Sequence, residues 1–291
     1  MSVTAACRRI SAEIARDPRY AHTSHLRVQA EGSVVFDEHY RGPATANVFS
    51  VSKTVLATVA GIAARQGLLP DLDTPVLPGQ TWRHLLTMTR GAVTESPWDT
   101  DTVVAGPDGS AATFARAPRV QEPGTTFRYD DGAYQLLSAA LTGVLGMPVA
   151  RYAAEHLFAP LGIEDAVWWH DHDGLTYGFA HLFLSADSLG RLGEQWRTGT
   201  LMDPAFRAEM MRAHTPGGPP EGLGYGYGIW VADGYVMAGG WAGQHVLVLP
   251  GAVVVTTGDP RFSLGPPAGD ELPADWMPAL GLIREHLLPV L

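Results

Sequence analysis

The chain has 291 residues, of which 46% are hydrophobic and 17% are charged, and its formal net charge is -10 at pH 7. This composition predicts a globular protein with a large buried core. The negative charge argues against a nucleic-acid partner, because the largest basic cluster is the pair Arg8–Arg9. Cys7 is the only cysteine, so no disulfide can form within the chain. We find no signal-peptide or membrane-spanning pattern, and therefore expect a cytoplasmic protein with no membrane partner.

The first third of the chain predicts a helix, a hairpin and a second helix. Residues 3–16 place their apolar side chains on one side of a helix. The segment "SHLRVQAEGSVVFDEHY" indicates two strands that are joined at Glu31–Gly32. From Ser50 to Gln66 the apolar residues again follow helical spacing, and Gly67 is a suitable C-cap.

The middle of the chain predicts mainly helices, and the last third predicts strands. The clearest helical segments are residues 83–89, 132–146, 149–158 and 185–199. Residues 214–224 are rich in Gly and Pro and are typical of a connector. The strand-like runs that follow are residues 227–232, 235–239, 244–250 and 252–258, before a final helix from about Asp275 to Leu288.

Strands near both ends of the chain, with helices between them, indicate an α/β (α+β) fold. We expect one antiparallel sheet that is shared by both ends, flanked by terminal helices, with an inserted all-helical subdomain. The chain would then be a single domain over residues 1–291. Its sheet part would comprise residues 1–49 and 221–291, and its mainly helical part residues 50–220.

The second predicted helix begins with a serine and carries the only lysine of the chain. The other 19 of the 20 basic residues are arginines. Ser50 and Lys53 lie one turn apart, on the same face of a helix. A serine hydroxyl needs a base before it can act as a nucleophile, and lysine can become neutral whereas arginine cannot. The same pattern also fits an ordinary solvated lysine, so the motif needs support from the rest of the chain.

That support comes from several stretches in a fixed order. They are "FSVSKTVLATVAGIAARQGLLPDLDTPV", "TWRHLLTMTRG", "PGTTFRYDDGAYQLLSAAL" and "GYGYGIWV" with "AGGWAGQHVLVLPGAVVVTT". From about Leu26 to Thr257 the chain resembles the serine β-lactamase, penicillin-binding protein and esterase superfamily, whose nucleophile motif is S-x-x-K. It is most similar to the class C-type serine hydrolases, which include esterases and aminohexanoate-oligomer hydrolases.

The resemblance implies a role for each matching residue. Ser50 would be the acyl-forming nucleophile and Lys53 its proton partner. Tyr129 would share general acid–base work with the lysine. The backbone N–H groups of Ser50 and Trp241 would form the oxyanion hole. Gly239–Gly240 would let the strand backbone approach the substrate closely.

The sequence departs from the superfamily pattern at two positions. Asp131 stands where the superfamily usually has asparagine. It either faces the cleft, where it would favour a hydrogen-bond donor or a cation, or it holds Lys53 protonated. Ala238 stands where penicillin-recognising members have a lysine or histidine that anchors the substrate carboxylate. The residues expected to bind substrate are Asp131, Tyr225, Ala238, Gly239, Gly240 and Trp241.

Other polar and aromatic residues are better explained by structure than by chemistry. The "HDHD" segment at residues 170–173 could bind a metal, but a polar turn is the better interpretation. The carboxylate pairs Glu164–Asp165 and Asp99 with Asp101 could suit a glycosidase, but solvated loops explain them better. We therefore expect no metal and no cofactor. The remaining aromatic candidates for the cleft, for which packing is the better explanation, are Trp98, Trp168, Trp169 and Tyr227.

The function expected from these observations is hydrolysis of an ester or amide bond in a small-molecule substrate. The alternatives are an acyltransferase or transpeptidase with the same Ser50 acyl-enzyme, and a non-catalytic binding protein that retains the fold. Because Ala238 provides no cation to bind a substrate carboxylate, we expect penicillins and peptides with a free carboxylate to be poorer substrates than other esters and amides. The sequence leaves the oligomeric state open.

Overall fold

The computed structural model describes residues 1–92, 110–259 and 275–291. Its largest element is an eight-stranded sheet, which confirms the predicted mixed α/β architecture. In chain order the strands are β1 (Thr23–Ala30), β2 (Ser33–His39), β3 (Thr45–Asn47), β4 (Pro75–Leu77), β5 (Gln80–Thr81), β6 (Val167–Trp168), β7 (Leu182–Ser185), β8 (Thr215–Gly218), β9 (Leu223–Tyr225), β10 (Trp230–Ala232), β11 (Tyr235–Gly240), β12 (Gln244–Val248) and β13 (Ala252–Gly258).

The helices of the described residues fall mainly between β3 and β8. They are α1 (Val3–Arg16), α2 (Val51–Arg65), α3 (Trp82–Leu86), α4 (Ala111–Ala115), α5 (Asp131–Leu145), α6 (Val149–Ala153), α7 (Ala186–Thr198) and α8 (Pro204–Met210). A π-helical turn and a short 3₁₀ turn extend α6 as far as Leu161. The last helix, α9, begins at Leu280 and continues through similar turns to Val290. It therefore begins five residues later than the sequence indicated.

The large sheet joins segments from both ends of the chain. Its strand order is β2-β1-β13-β12-β11-β10-β9-β8, and every neighbouring pair is antiparallel. The predicted hairpin between β1 and β2 turns at Glu31 and Gly32, whose φ angles are 48° and 75°. Strand β1 also pairs with β13, so that Val28 lies opposite Val254.

The prediction of a connector at residues 214–224 was wrong. This segment supplies β8 and the start of β9, which form one end of the large sheet. Proline is tolerated there because an edge strand needs hydrogen bonds on one side only. The sequence also gave no sign of two small sheets, β3-β7-β6 and β4-β5.

Helix α2 runs through the interior of the protein. Every residue from Val51 to Ala63 is buried, including the polar residues Ser52, Lys53 and Thr54. Helix α1 packs against α9 and β2, whereas α7 packs against β1, β12 and β13. The helix that carries the candidate nucleophile is therefore surrounded by protein along most of its length.

No single helix within residues 1–92, 110–259 and 275–291 has the length and apolar composition needed to cross a bilayer. One pair of helices, Asp131–Leu145 and Val149–Leu161, meets the criterion jointly but is bent by 71°.

Candidate active site

Ser50 lies at the start of α2, in a tight turn that follows β3. Phe49, the residue before it, has a φ of 48°, which is uncommon for a bulky side chain. The Phe49 N–H donates to Asn47 Oδ1 at 2.8 Å, and the Ser52 hydroxyl donates to the Phe49 carbonyl at 2.6 Å. These two hydrogen bonds hold the turn that presents Ser50 at the end of the helix.

Lys53 is buried beneath this turn, with only 1% of its surface exposed. Its Nζ donates to Ser50 Oγ at 2.7 Å and to the Phe179 carbonyl at 2.9 Å. The same nitrogen lies 2.7 Å from Asp131 Oδ1, forming a buried ion pair. The sequence left two positions open for Asp131, one facing the cleft and one beside Lys53. The structure places it beside Lys53.

The ion pair sets the protonation of Lys53. Burial alone would lower the pKa of Lys53, but the neighbouring Asp131 carboxylate and Tyr129 phenol outweigh burial and raise the pKa above its ordinary value. Burial also raises the pKa of Asp131, and the Lys53 charge opposes that rise. The resting site therefore holds an ammonium group that donates a hydrogen bond to Ser50.

His181 lies near this charge and was not recognised in the sequence. Burial, assisted by the Lys53 charge, lowers the pKa of His181 to about 4. Its Nδ1 lies 3.4 Å from the Asn47 amide nitrogen. The imidazole is therefore neutral at pH 7 and adds no second positive charge beside Lys53.

Tyr129 lies immediately before α5 and forms the third side of the Ser50–Lys53 pair. Its hydroxyl hydrogen bonds with both residues, and Lys53 Nζ lies 5.0 Å from the centre of its ring. The indole of Trp230 stacks on the ring at 5.6 Å and 7°. Burial raises the pKa of the phenol, which therefore remains protonated at pH 7.

The adjacent acids Asp130 and Asp131 have separate partners. Asp130 forms a buried ion pair with Arg90 and also accepts a hydrogen bond from the Gly132 N–H at 2.9 Å, which caps α5. Asp131 contacts Lys53. Because Arg90 neutralises Asp130, the helix can begin with two buried carboxylates in sequence.

The end of β11 closes against the Ser50 turn. A Cβ atom on Gly240 would clash with the Val48 carbonyl oxygen and would lie 3.3 Å from the Ser50 backbone nitrogen. The next residue, Trp241, packs its ring edge to face with Phe49 at 5.1 Å and 76°. This close approach is possible because residue 240 has no side chain.

A cavity of about 500 Å³ opens beside these residues. Five of the predicted site residues line it, namely Ser50, Tyr129, Gly239, Gly240 and Trp241. It is also lined by residues that the sequence did not single out as candidates. These are Pro220, Glu221, Trp230, Ala242, Gly243, His245, Trp276, Met277, Pro278, Leu280, Gly281 and Arg284.

Three residues predicted to bind substrate do not line this cavity, namely Asp131, which contacts Lys53, and the buried residues Ala238 and Tyr225. Ala238 is 0% exposed, because β11 pairs it with Val246 inside the sheet. Tyr225 is 1% exposed and packs its ring against Trp230 at 4.8 Å. Tyr225 therefore supports the Tyr129–Trp230 stack from outside the cavity, and neither Tyr225 nor Ala238 has a surface for substrate.

Several residues interpreted as structural from the sequence lie among the described residues and outside the cavity. Asp171 of the "HDHD" segment is buried and accepts hydrogen bonds from the backbone of Asp173 and Leu175, which makes it the anchor of a turn. Among residues 1–92, 110–259 and 275–291, no group of three His, Cys, Asp or Glu side chains is placed to hold a metal. Trp168 and Tyr227 are buried, whereas Trp169 is half exposed. The positions of Trp98, Asp99 and Asp101 lie outside the described residues.

Comparison with known proteins places the chain within one protein family. The beta-lactamase family profile matches residues 26–264. No curated protein sequence matches the chain at a significant level.

Solved structures share the fold at low sequence identity. EstCE1, described as a hydrolase with promiscuous acyltransferase activity, has a TM-score of 0.75 and 18% identity, and the match covers 98% of each chain. A penicillin-binding protein from Bacillus halodurans has a TM-score of 0.71 and 18% identity over 86% of this chain and 94% of its own. A beta-lactamase from Mycobacterium bovis has a TM-score of 0.69 and 19% identity over 96% of this chain and 100% of its own.

Proposed function

Since this chain belongs to the beta-lactamase family, we propose that it is a serine hydrolase that cleaves an ester or amide bond through an acyl-enzyme on Ser50. The observation that carries this proposal is the 2.7 Å hydrogen bond between Lys53 Nζ and Ser50 Oγ at the wall of a cavity. A buried, titratable amine in direct contact with a serine is the arrangement that activates a hydroxyl group.

The first step needs the neutral form of Lys53. Ser50 Oγ then attacks the carbonyl carbon while its proton moves to Lys53 Nζ, and a tetrahedral intermediate forms. In the resting state the pKa of Lys53 is raised by Asp131, which outweighs the effect of burial, so only a minor fraction of the amine is free at pH 7. Asp131 therefore limits how much of the enzyme is ready to react.

Tyr129 is suited to donating a proton, whereas Lys53 must accept one. Because burial raises the pKa of its phenol, this group holds a proton that it can give. The carbon–oxygen or carbon–nitrogen bond of the substrate breaks as the leaving group takes that proton, and the acyl group remains on Ser50. Water then attacks the acyl-enzyme and gives a proton to the Tyr129 phenolate. Ser50 Oγ takes back a proton from Lys53 as the acid leaves, so that all three groups return to their starting forms.

The oxyanion of the intermediate would be held by backbone N–H groups. Ser50 supplies one at the start of α2, and Trp241 supplies the other where β11 ends. The close approach of Gly240 to the Ser50 nitrogen brings these two segments together. Donors fixed in advance in this way stabilise the transition state without rearrangement during the reaction.

Covalent labelling tests the nucleophile directly. We expect a fluorophosphonate to add one phosphonyl group to the wild-type protein and none to Ser50→Ala, as measured by intact-protein mass. Ser33→Ala, which removes an exposed hydroxyl on β2, should label like the wild type. An adduct that survives in Ser50→Ala would place the reactive serine elsewhere. A folded wild-type protein that does not label would favour the non-catalytic alternative.

Gly240→Ala tests the contact between β11 and the nucleophile turn. The added methyl group would press on the Val48 carbonyl and displace the turn from Trp241. A displacement of about 1 Å at a reacting centre costs roughly 10²-fold in rate, so we expect labelling of Ser50 to slow by about that factor. Gly143→Ala in α5, where a Cβ atom meets nothing within 4 Å, is the matched control and should label normally. Equal labelling rates for the two variants would contradict the proposed contact.

A further inference from the structure

One wall of the cavity carries the carboxylate of Glu221, which has no lysine or arginine partner among the described residues. Glu221 Oε1 lies 3.4 Å from the position that a Cβ atom on Gly239 would occupy. The side chain of Glu221 is only 20% exposed, and its carboxylate accepts no hydrogen bond from the part of the chain that the structure describes. Its nearest cationic candidate, His245 Nε2, is 3.9 Å away, which is beyond hydrogen-bonding distance.

Aromatic side chains line the same cavity as this carboxylate. The Trp230 indole lies 3.4 Å from the same Cβ position on Gly239, so Glu221 and Trp230 flank one short piece of β11. Trp241 and Trp276 line the same cavity. A carboxylate in a cavity that is also lined by aromatic side chains is a combination that attracts an ammonium group, chiefly through the negative charge.

Two other groups that can carry charge face the cavity. Arg284 is exposed on α9, where its Nε donates to the Tyr235 hydroxyl at 3.1 Å. His245 is 4% exposed, and its Nδ1 has no hydrogen-bond partner among the described residues. A neutral imidazole in that position can accept a hydrogen bond from an amine. The arginine is held at the rim, whereas the carboxylate lies against the strand that approaches Ser50.

We propose that Glu221 selects a substrate that carries an amine or another cationic group, which it binds over Gly239 while Ser50 attacks the ester or amide bond. The assignment of a substrate rests on the proposed hydrolase function. Binding of a cation by Glu221 does not require turnover and can be measured separately. The cation can belong to the acyl part or to the leaving group.

The first test measures binding without chemistry. Ser50→Ala protein is titrated with n-butylammonium chloride, sodium n-butyrate and 1-butanol, with calorimetry and tryptophan fluorescence as readouts. We expect the ammonium ion to bind more tightly than the other two probes. Adding Glu221→Gln should weaken that binding by about tenfold, the usual effect of losing a hydrogen bond to a charged partner. Glu164→Gln removes an exposed carboxylate outside the cavity and should leave the affinity for n-butylammonium unchanged.

Two outcomes would overturn the proposal. One is tighter binding of butyrate than of butylammonium, which would assign the cavity to Arg284. The other is equal affinity for butylammonium with and without Glu221. Raising the ionic strength is a check that needs no second substitution, because salt should weaken binding of a cation to a partly exposed carboxylate. Since these readouts use Ser50→Ala, failure of cation binding is distinguishable from absence of a reactive serine.

The second test uses wild-type turnover. Matched esters carry an amine, a methyl group or a carboxylate at the same position, either in the acyl part or in the leaving group. We expect kcat/KM to be highest for the amine in one of these two series, and the series that responds identifies which part of the substrate lies over Gly239. Glu221→Gln should reduce the amine-to-methyl ratio by about tenfold. No preference for the amine in either series would refute the substrate assignment.

Discussion

Replacing Lys53 with arginine should reduce turnover of a small ester by about 10²–10⁴-fold, the usual contribution of a general base. The guanidinium group cannot become neutral in a protein, so it cannot take the proton of Ser50. It keeps the positive charge beside Asp131, and the ion pair survives in some form. The measurement is kcat/KM for p-nitrophenyl acetate, together with the rate of fluorophosphonate labelling.

The matched control is the reverse exchange on the same helix. Arg65 lies exposed in the last turn of α2, so Arg65→Lys should leave both rates unchanged. Thermal unfolding of both variants establishes that they are folded, since position 53 is buried and arginine is larger. Near-normal turnover in a folded Lys53→Arg protein would remove the lysine from the mechanism.

Asp131→Asn should shift the pH dependence of Ser50 labelling to lower pH. Burial lowers the pKa of Lys53, whereas the Asp131 carboxylate raises it, and in the wild-type protein the rise prevails. An amide removes the negative charge, so burial dominates and the pKa of Lys53 falls. The neutral amine is then present at lower pH, and labelling at pH 7 should become faster than in the wild type. The measurement is the labelling rate between pH 5 and pH 10.

Two other outcomes of the Asp131→Asn measurement would contradict this expectation. If Asp131→Asn lost activity at every pH, Asp131 would be a proton acceptor for Lys53 rather than a group that holds it charged. A profile that moved to higher pH would contradict the electrostatic argument itself. Asp173→Asn, in an exposed turn, makes the same chemical change and should leave the profile unchanged.

Local sequence patterns were sufficient to predict the helix that begins after Ser50 and the β1–β2 hairpin. The apolar spacing after Ser50 defines α2, and one helical turn brings Lys53 under the serine. The alternation and turn residues near Glu31 define the β1–β2 hairpin. In both cases the determining interactions lie within a few residues of one another, so the pattern carries the information.

The remainder of the site depends on contacts between distant segments. Asp131 could have faced the cleft or the lysine, and only the packing of α5 beside α2 decides between them. Glu221 lies in a Pro-Gly segment typical of a loop, and only the pairing of β8 with β9 brings it to Gly239. Ala238 is enclosed because its strand pairs with β12. No local pattern distinguishes these outcomes.

The pairing of β1 with β13 has a consequence for the time at which the site is assembled. During synthesis Ser50 is made 190 residues before Gly240, counting from the sequence numbers. At about 5–20 residues per second, the helix that begins at Ser50 exists for roughly 10–40 s without the end of β11, where the proposed second backbone donor lies. The last wall of the cavity, on α9, is added later still. On the mechanism that we propose, an unfinished chain therefore carries Ser50 and Lys53 without the oxyanion hole, and acylation of Ser50 must wait until the long-range strand pairing is complete.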